Sequence, residues 1–114
     1  MTNILAEKAR AHRDQHRERA VNRAREAVHW LATQGYTAQI VGSLARGKDF
    51  SEASDVDFLI YGDAGEDRFR LEGKLCEIMQ GMEFSIIPFE AVFDPFWVTQ
   101  LRQDAVDVSQ LLES

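Results

Sequence analysis

With 114 residues, 45% of them hydrophobic and 28% charged, the chain has the composition of one soluble globular domain and is too short for a two-domain enzyme. The net charge of −6 hides an asymmetry: residues 1–36 carry seven Lys/Arg and four Asp/Glu, net +3, and the remainder six and fifteen, net −9. An acidic body argues against general nucleic-acid binding, which needs a basic surface for phosphate, and fits a small anionic substrate held through metal and local donors. No apolar run approaches the roughly 20 residues that span a bilayer. No apolar segment follows a basic start as in a secretory signal, so a cytoplasmic location is expected. Cys76 is the only cysteine, which excludes an intramolecular disulfide and a cysteine-based zinc site.

Residues 3–34 lack Gly and Pro and are rich in Ala, Arg and Glu, which predicts one long helix. Ala20, Ala24, Ala27, Val28 and Leu31 repeat at helical spacing, so its second half offers an apolar face. The first half is polar, and residues 1–22 are expected to project and to be free to dock on a partner chain. The arginines at 10, 13, 17, 19, 23 and 25 alternate with acids and read as a solvated face. His12 and His16 have i, i+4 spacing but no third ligand. Gly35 stops the helix, 36–41 is a strand ending at Gly42, and 55–61 is a second strand after a polar loop. Val56, Phe58 and Ile60 should face the core, with Asp55, Asp57 and Leu59 on the other side.

A turn at 62–65 leads to a helix over 66–80, with Phe69, Leu71, Leu75, Cys76, Ile78 and Met79 as its apolar positions. Cys76 is therefore expected in the core. A third strand is predicted over 82–89, ended by Pro88. Asp94-Pro95 is an N-cap followed by Pro at N1, starting a helix through about residue 103. Phe93, Phe96 and Trp97 are expected as core anchors rather than as a base-stacking platform. Residues 105–108 read as a short last strand, and 111–114 are weakly specified. The fold class is α/β (α+β): a small mixed sheet flanked by helices, in a single domain over 1–114.

The chemistry concentrates in residues 40–62, IVGSLARGKDFSEASDVDFLIYG. Asp55 and Asp57 lie two apart, on one face of a strand, and two adjacent carboxylates repel unless a cation sits between them. Oxygen ligation of this kind suits Mg²⁺, which is held by one or two carboxylates plus substrate phosphates. Upstream, Gly42-Ser43 ends a strand and can open a helix whose free N–H groups favour phosphate. Residues 42–48 also match the P-loop pattern G-x4-G-K, but Asp49 stands where that motif needs Ser or Thr, and strand-like sequence resumes too soon for its long helix. The bland alternative makes Asp55 a turn acceptor, Asp57 an exposed strand residue and Gly42-Ser43 a bend.

Gly42-Ser43, Ala45-Arg46-Gly47 and Ser54-Asp55-Val56-Asp57 resemble the signature of the minimal nucleotidyltransferases in the DNA polymerase β superfamily. The resemblance covers roughly residues 24–108 and implies a polymerase β-like nucleotidyltransferase core behind the long N-terminal helix. It implies that Gly42 and Ser43 hold the β- and γ-phosphates of ATP or another NTP, and that Asp55 and Asp57 hold Mg²⁺. Arg46 is a further phosphate partner and Lys48 a weaker one. Members are often encoded beside a HEPN protein as antitoxin and toxin, which implies transfer of an NMP group, AMP first, to a protein hydroxyl, with a HEPN-type toxin as partner. A homodimer is compatible with this reading.

The sequence departs from the family in one place. The third aspartate, the family's candidate base, would stand where this chain has Ser85. Glu83 lies on the same face but about 7 Å along the strand, so it could substitute only through a slipped register. The alternative function is therefore a degenerate transferase that acts as a binding or neutralising partner. Transfer to a small molecule would need an additional helical domain, which 114 residues cannot supply except by dimerisation.

Overall fold

A computed structural model describes residues 4–47, 50 and 54–112. The order is α1 (Ile4–Thr33), β1 (Thr37–Val41), α2 (Gly42–Arg46), β2 (Val56–Tyr61), α3 (Arg68–Met79), β3 (Phe84–Pro88), a 3₁₀ turn (Phe89–Ala91), α4 (Pro95–Asp104) and α5 (Val108–Leu112). The sheet runs β1-β2-β3, with β1 antiparallel and β3 parallel to β2, so it is mixed as expected. The parallel pair is joined through α3, the crossover that parallel strands require.

Local signals account for most boundaries. At the end of α1 the Tyr36 N–H donates to Leu31 O (2.9 Å) and the Gly35 N–H to Ala32 O (3.1 Å), with Gly35 at φ +92°. These two bonds make a Schellman cap, which glycine adopts without a Cβ clash. Asp94 caps α4 by accepting from the Phe96 N–H at 2.8 Å, with Pro95 in the first turn. The predicted strand over 105–108 reduces to one bridge, in which Ile40 and Val106 exchange both backbone hydrogen bonds; the chain then turns into α5.

The main core lies on one face of the sheet. Ile40, Val56, Phe58 and Ile60 meet Ala24, Ala27 and Leu31 of α1 and Leu71, Leu75 and Met79 of α3. Alternation puts Val41, Asp57, Leu59 and Ser85 on the opposite face. Leu59 points away from the main core yet is fully buried, so this second face is partly covered too. Along α1, residues 4–15 are exposed.

Five apolar residues expected to pack inward do not. Cys76 is exposed, because α3 buries the i, i+4, i+8 stripe of Leu71, Leu75 and Met79 and position 76 lies about 100° round from it. Phe69, at 89% exposure, misses the same stripe. Phe93, ahead of α4, is 87% exposed, and Phe96 and Trp97 remain 63% and 55% exposed, since α4 buries none of its residues. This register gives a stability prediction. Leu75→Ala should cost about 2–5 kcal/mol in urea unfolding, whereas Cys76→Ala should stay within about 0.5 kcal/mol. Equal effects would contradict the helix register.

Candidate functional site

Strand β1 delivers the chain to Gly42 on the face opposite the main core. Gly42 has φ +78°, a left-handed conformation that L side chains rarely adopt, and its Cα lies against the Asp57 carboxylate. A Cβ there would overlap Asp57 Oδ2 and stand 3.3 Å from Asp57 Cγ. The glycine is thus required both for its backbone angle and for close approach. One helical turn follows in α2 before Gly47, at φ +72°, ends it. A P-loop would need a long helix to begin where α2 stops, so that reading is excluded. Arg46, at the end of the turn, points its Nη2 back towards Ser43 Oγ at 3.5 Å.

Strand β2 brings the aspartates to the same place. Val41 pairs with Asp57 in the antiparallel register, which sets Gly42-Ser43 beside the carboxylates. Asp57 pairs across the other edge with Ser85 of β3, whose hydroxyl acts to hold the carboxyl pKa down. Ser85 therefore lies beside Asp57 on the neighbouring strand, at the position for which the family resemblance implies an aspartate.

Burial pushes the Asp57 carboxyl above its ordinary range, and the neighbouring Asp55 charge pushes the same way; Arg46 and the Ser85 hydroxyl oppose the rise. Half-buried carboxylate, exposed carboxylate and adjacent cation form one electrostatic unit. Two carboxylates that repel each other are a donor set suited to a hard divalent cation, whose charge removes the conflict. No cluster of three or more His, Cys, Asp or Glu side chains occurs among the described residues, so any such ion would complete its shell with substrate oxygen or water.

The structure thus brings together Gly42, Ser43, Arg46, Asp55, Asp57 and Ser85. Glu83 does not join them: its backbone carbonyl accepts from the Val56 N–H at 3.0 Å, and its side chain lines clefts beside α1 and α3. The slipped register that would make Glu83 a substitute acid is not adopted. Lys48 lies outside the described residues. Helix α4 packs on α2 and carries Phe96 and Trp97, in edge contact at 5.2 Å between ring centroids. These exposed rings near the site carry a helical apolar spacing that, in sequence, is indistinguishable from a core stripe.

A family model described as nucleotidyltransferase domain matches residues 21–113. The chain belongs to the nucleotidyltransferase domain family. Its fold is also that of a solved structure assigned as a minimal nucleotidyltransferase, with a TM-score of 0.66 and 26% sequence identity over 79% of this chain and 93% of that one. Among curated proteins, none matches the chain in sequence. The matched span begins inside α1, so the exposed first half of that helix lies outside the family region. No helix among the described residues is long and apolar enough to cross a membrane.

Proposed function

We propose that this nucleotidyltransferase-family chain transfers an NMP group, AMP first, from an NTP to a hydroxyl of a partner protein. The observation that carries this reading is the seating of Asp57 between the bare Gly42 backbone and the Ser85 hydroxyl, with Asp55 adjacent and Arg46 over Ser43. Asp55 and Asp57 would hold Mg²⁺, which when bound offsets the charge that develops on the transferring phosphoryl group. Gly42 and Ser43 would position the β- and γ-phosphates, and Arg46 would neutralise part of their charge. The acceptor oxygen attacks the α-phosphorus in line, the bond from that phosphorus to the bridging oxygen breaks, pyrophosphate leaves with the electron pair, and the acceptor's proton passes to water.

The exposed Phe96 and Trp97 beside α2 support a protein acceptor, because large exposed aromatics of this kind mark interaction surfaces. The acidic body disfavours nucleic acid as acceptor. By family resemblance the acceptor would be a HEPN-type toxin and this chain its antitoxin, with residues 1–22 as a docking arm. Incubation with such a partner, Mg²⁺ and NTP labelled on the α- or γ-phosphate tests the chemistry. Label should enter the partner from the α-position alone. Transfer from the γ-position would show kinase chemistry and overturn the proposal.

Ser85 favours a second reading, in which the chain binds and neutralises its partner without turnover. A serine cannot take the proton of the acceptor hydroxyl, and loss of a general base costs about 10² to 10⁴ in rate. Ser85→Asp should therefore raise transfer by at least about 10² in the labelling assay. An unchanged rate would place the base elsewhere. An Asp55→Asn/Asp57→Asn double variant that still silences the partner would establish neutralisation by binding.

A further inference from the structure

We infer that the cleft between α1 and the segment after α3 is a second anion site, built for the phosphate of a small molecule and separate from the Gly42–Asp57 site. The cleft has a volume of about 280 Å³. His16, Arg19 and Arg23 line one wall, and Gln80 and Glu83 belong to the other. On a helix, positions 16, 19 and 23 fall within about 60° of one another, so the three side chains converge.

Charge is the main support. The chain as a whole carries −6, and residues 37–114 carry −9, yet this wall presents two arginines four residues apart. Like charges at that spacing destabilise a helix, and an anion between them relieves the repulsion. Arg19 has no ion-pair partner among the described residues. The ion pair recorded for Arg23 is an i, i+3 contact with Glu26 at 3.4 Å, both side chains partly exposed, and pairs of that kind are weak enough to exchange for a better one. His16 is held in place by stacking on the buried Phe50 ring, centroids 5.4 Å apart.

Part of the backbone facing these cations is already engaged. The carbonyls of Cys76 and Met79 already accept from the N–H groups of Gln80 and Met82, and that of Glu83 accepts from Val56. Among the described residues lining the cleft Glu83 is the one acid, and its carboxylate would weaken an anion rather than exclude it. Val56 leads directly to Asp57, but it faces the other side of the sheet. The cleft is thus a neighbour of the candidate nucleotide site and not a part of it. It stands whether or not that site transfers nucleotides.

The test is calorimetric titration of the full chain with inorganic pyrophosphate and, separately, ADP, in EDTA so that the aspartate pair repels both. Saturable binding is expected in wild type and in Asp55→Asn/Asp57→Asn. It should weaken at least about tenfold in Arg19→Gln/Arg23→Gln and strengthen in Glu83→Gln. Arg19→Lys/Arg23→Lys should recover part of it, which separates charge from folding. Equal affinity for the two ligands identifies the phosphate group alone as the recognised chemistry, and tighter ADP binding extends the site to the nucleoside. No saturable binding, or binding that the arginine changes leave intact, would overturn the assignment.

Discussion

Gly42→Ala is expected to remove metal-dependent nucleotide binding and to lower any transfer rate by about 10² or more. Two costs coincide at this residue. Holding a non-glycine residue at φ +78° is worth roughly 1–2 kcal/mol, and the new methyl overlaps Asp57 Oδ2, so the carboxylate must move. A displacement of about 1 Å at a reacting centre costs about 10²-fold. Gly47→Ala separates the two effects, since Gly47 shares the left-handed backbone (φ +72°) but has open space around an added Cβ. Both variants should lose stability by urea unfolding, Gly42→Ala at least as much as Gly47→Ala. Only Gly42→Ala should lose Mg²⁺-dependent binding. Equal loss in the two would mean that the Gly42–Asp57 contact has no special role.

The second large effect is one of sign. Asp57→Asn should stabilise the metal-free protein at neutral pH while removing its response to Mg²⁺. Burial and then Asp55 raise the Asp57 pKa above its unfolded value of 3.8, so the folded chain holds that proton more tightly than the unfolded one. The associated stability is fully present below the unfolded pKa and is lost as pH rises through the higher folded value. At neutral pH the ionised carboxylate is therefore a net burden on the metal-free fold. The asparagine relieves it, by about 1 kcal/mol or less given the group's partial exposure. The difference in Tm between variant and wild type, measured in EDTA, should shrink as pH falls towards 4. Adding Mg²⁺ should raise the Tm of wild type and leave the variant unchanged, because only a state that binds the ion gains from its concentration. A variant less stable than wild type in EDTA would contradict this electrostatic account.

Much of this was legible in the sequence because the signals are local. Gly35 and Asp94-Pro95 end and start helices through atoms within a few residues, so α1 and α4 fall close to their predicted limits. The strand pattern put Asp57 on the face away from Phe58, and the sheet keeps it there; Asp55 falls just before β2 rather than in it. Assignments that depend on a partner element fared worse. Cys76 and Phe69 have the right hydropathy for a core, but which third of α3 faces inward is decided by where α1 and the sheet lie. Phe93, Phe96 and Trp97 are apolar at helical spacing, but Phe93 precedes α4 and α4 buries none of its residues. Arg19 and Arg23 read as a solvated face; only the fold brings Gln80 and Glu83 opposite them and makes a cleft. The contact of Gly42 with Asp57 is likewise a register fact, invisible until β1 and β2 are paired.

The central claim is that Gly42, Ser43, Asp55 and Asp57 form one metal-dependent nucleotide site. Calorimetric titration with ATP, GTP, CTP and UTP, with and without Mg²⁺, on wild type and Asp55→Asn/Asp57→Asn tests it directly. At least one nucleotide should bind wild type only when Mg²⁺ is present, and that Mg²⁺-dependent binding should vanish in the double variant. Mg²⁺-dependent binding that survives loss of both carboxylates, or its absence for every nucleotide, would contradict the account.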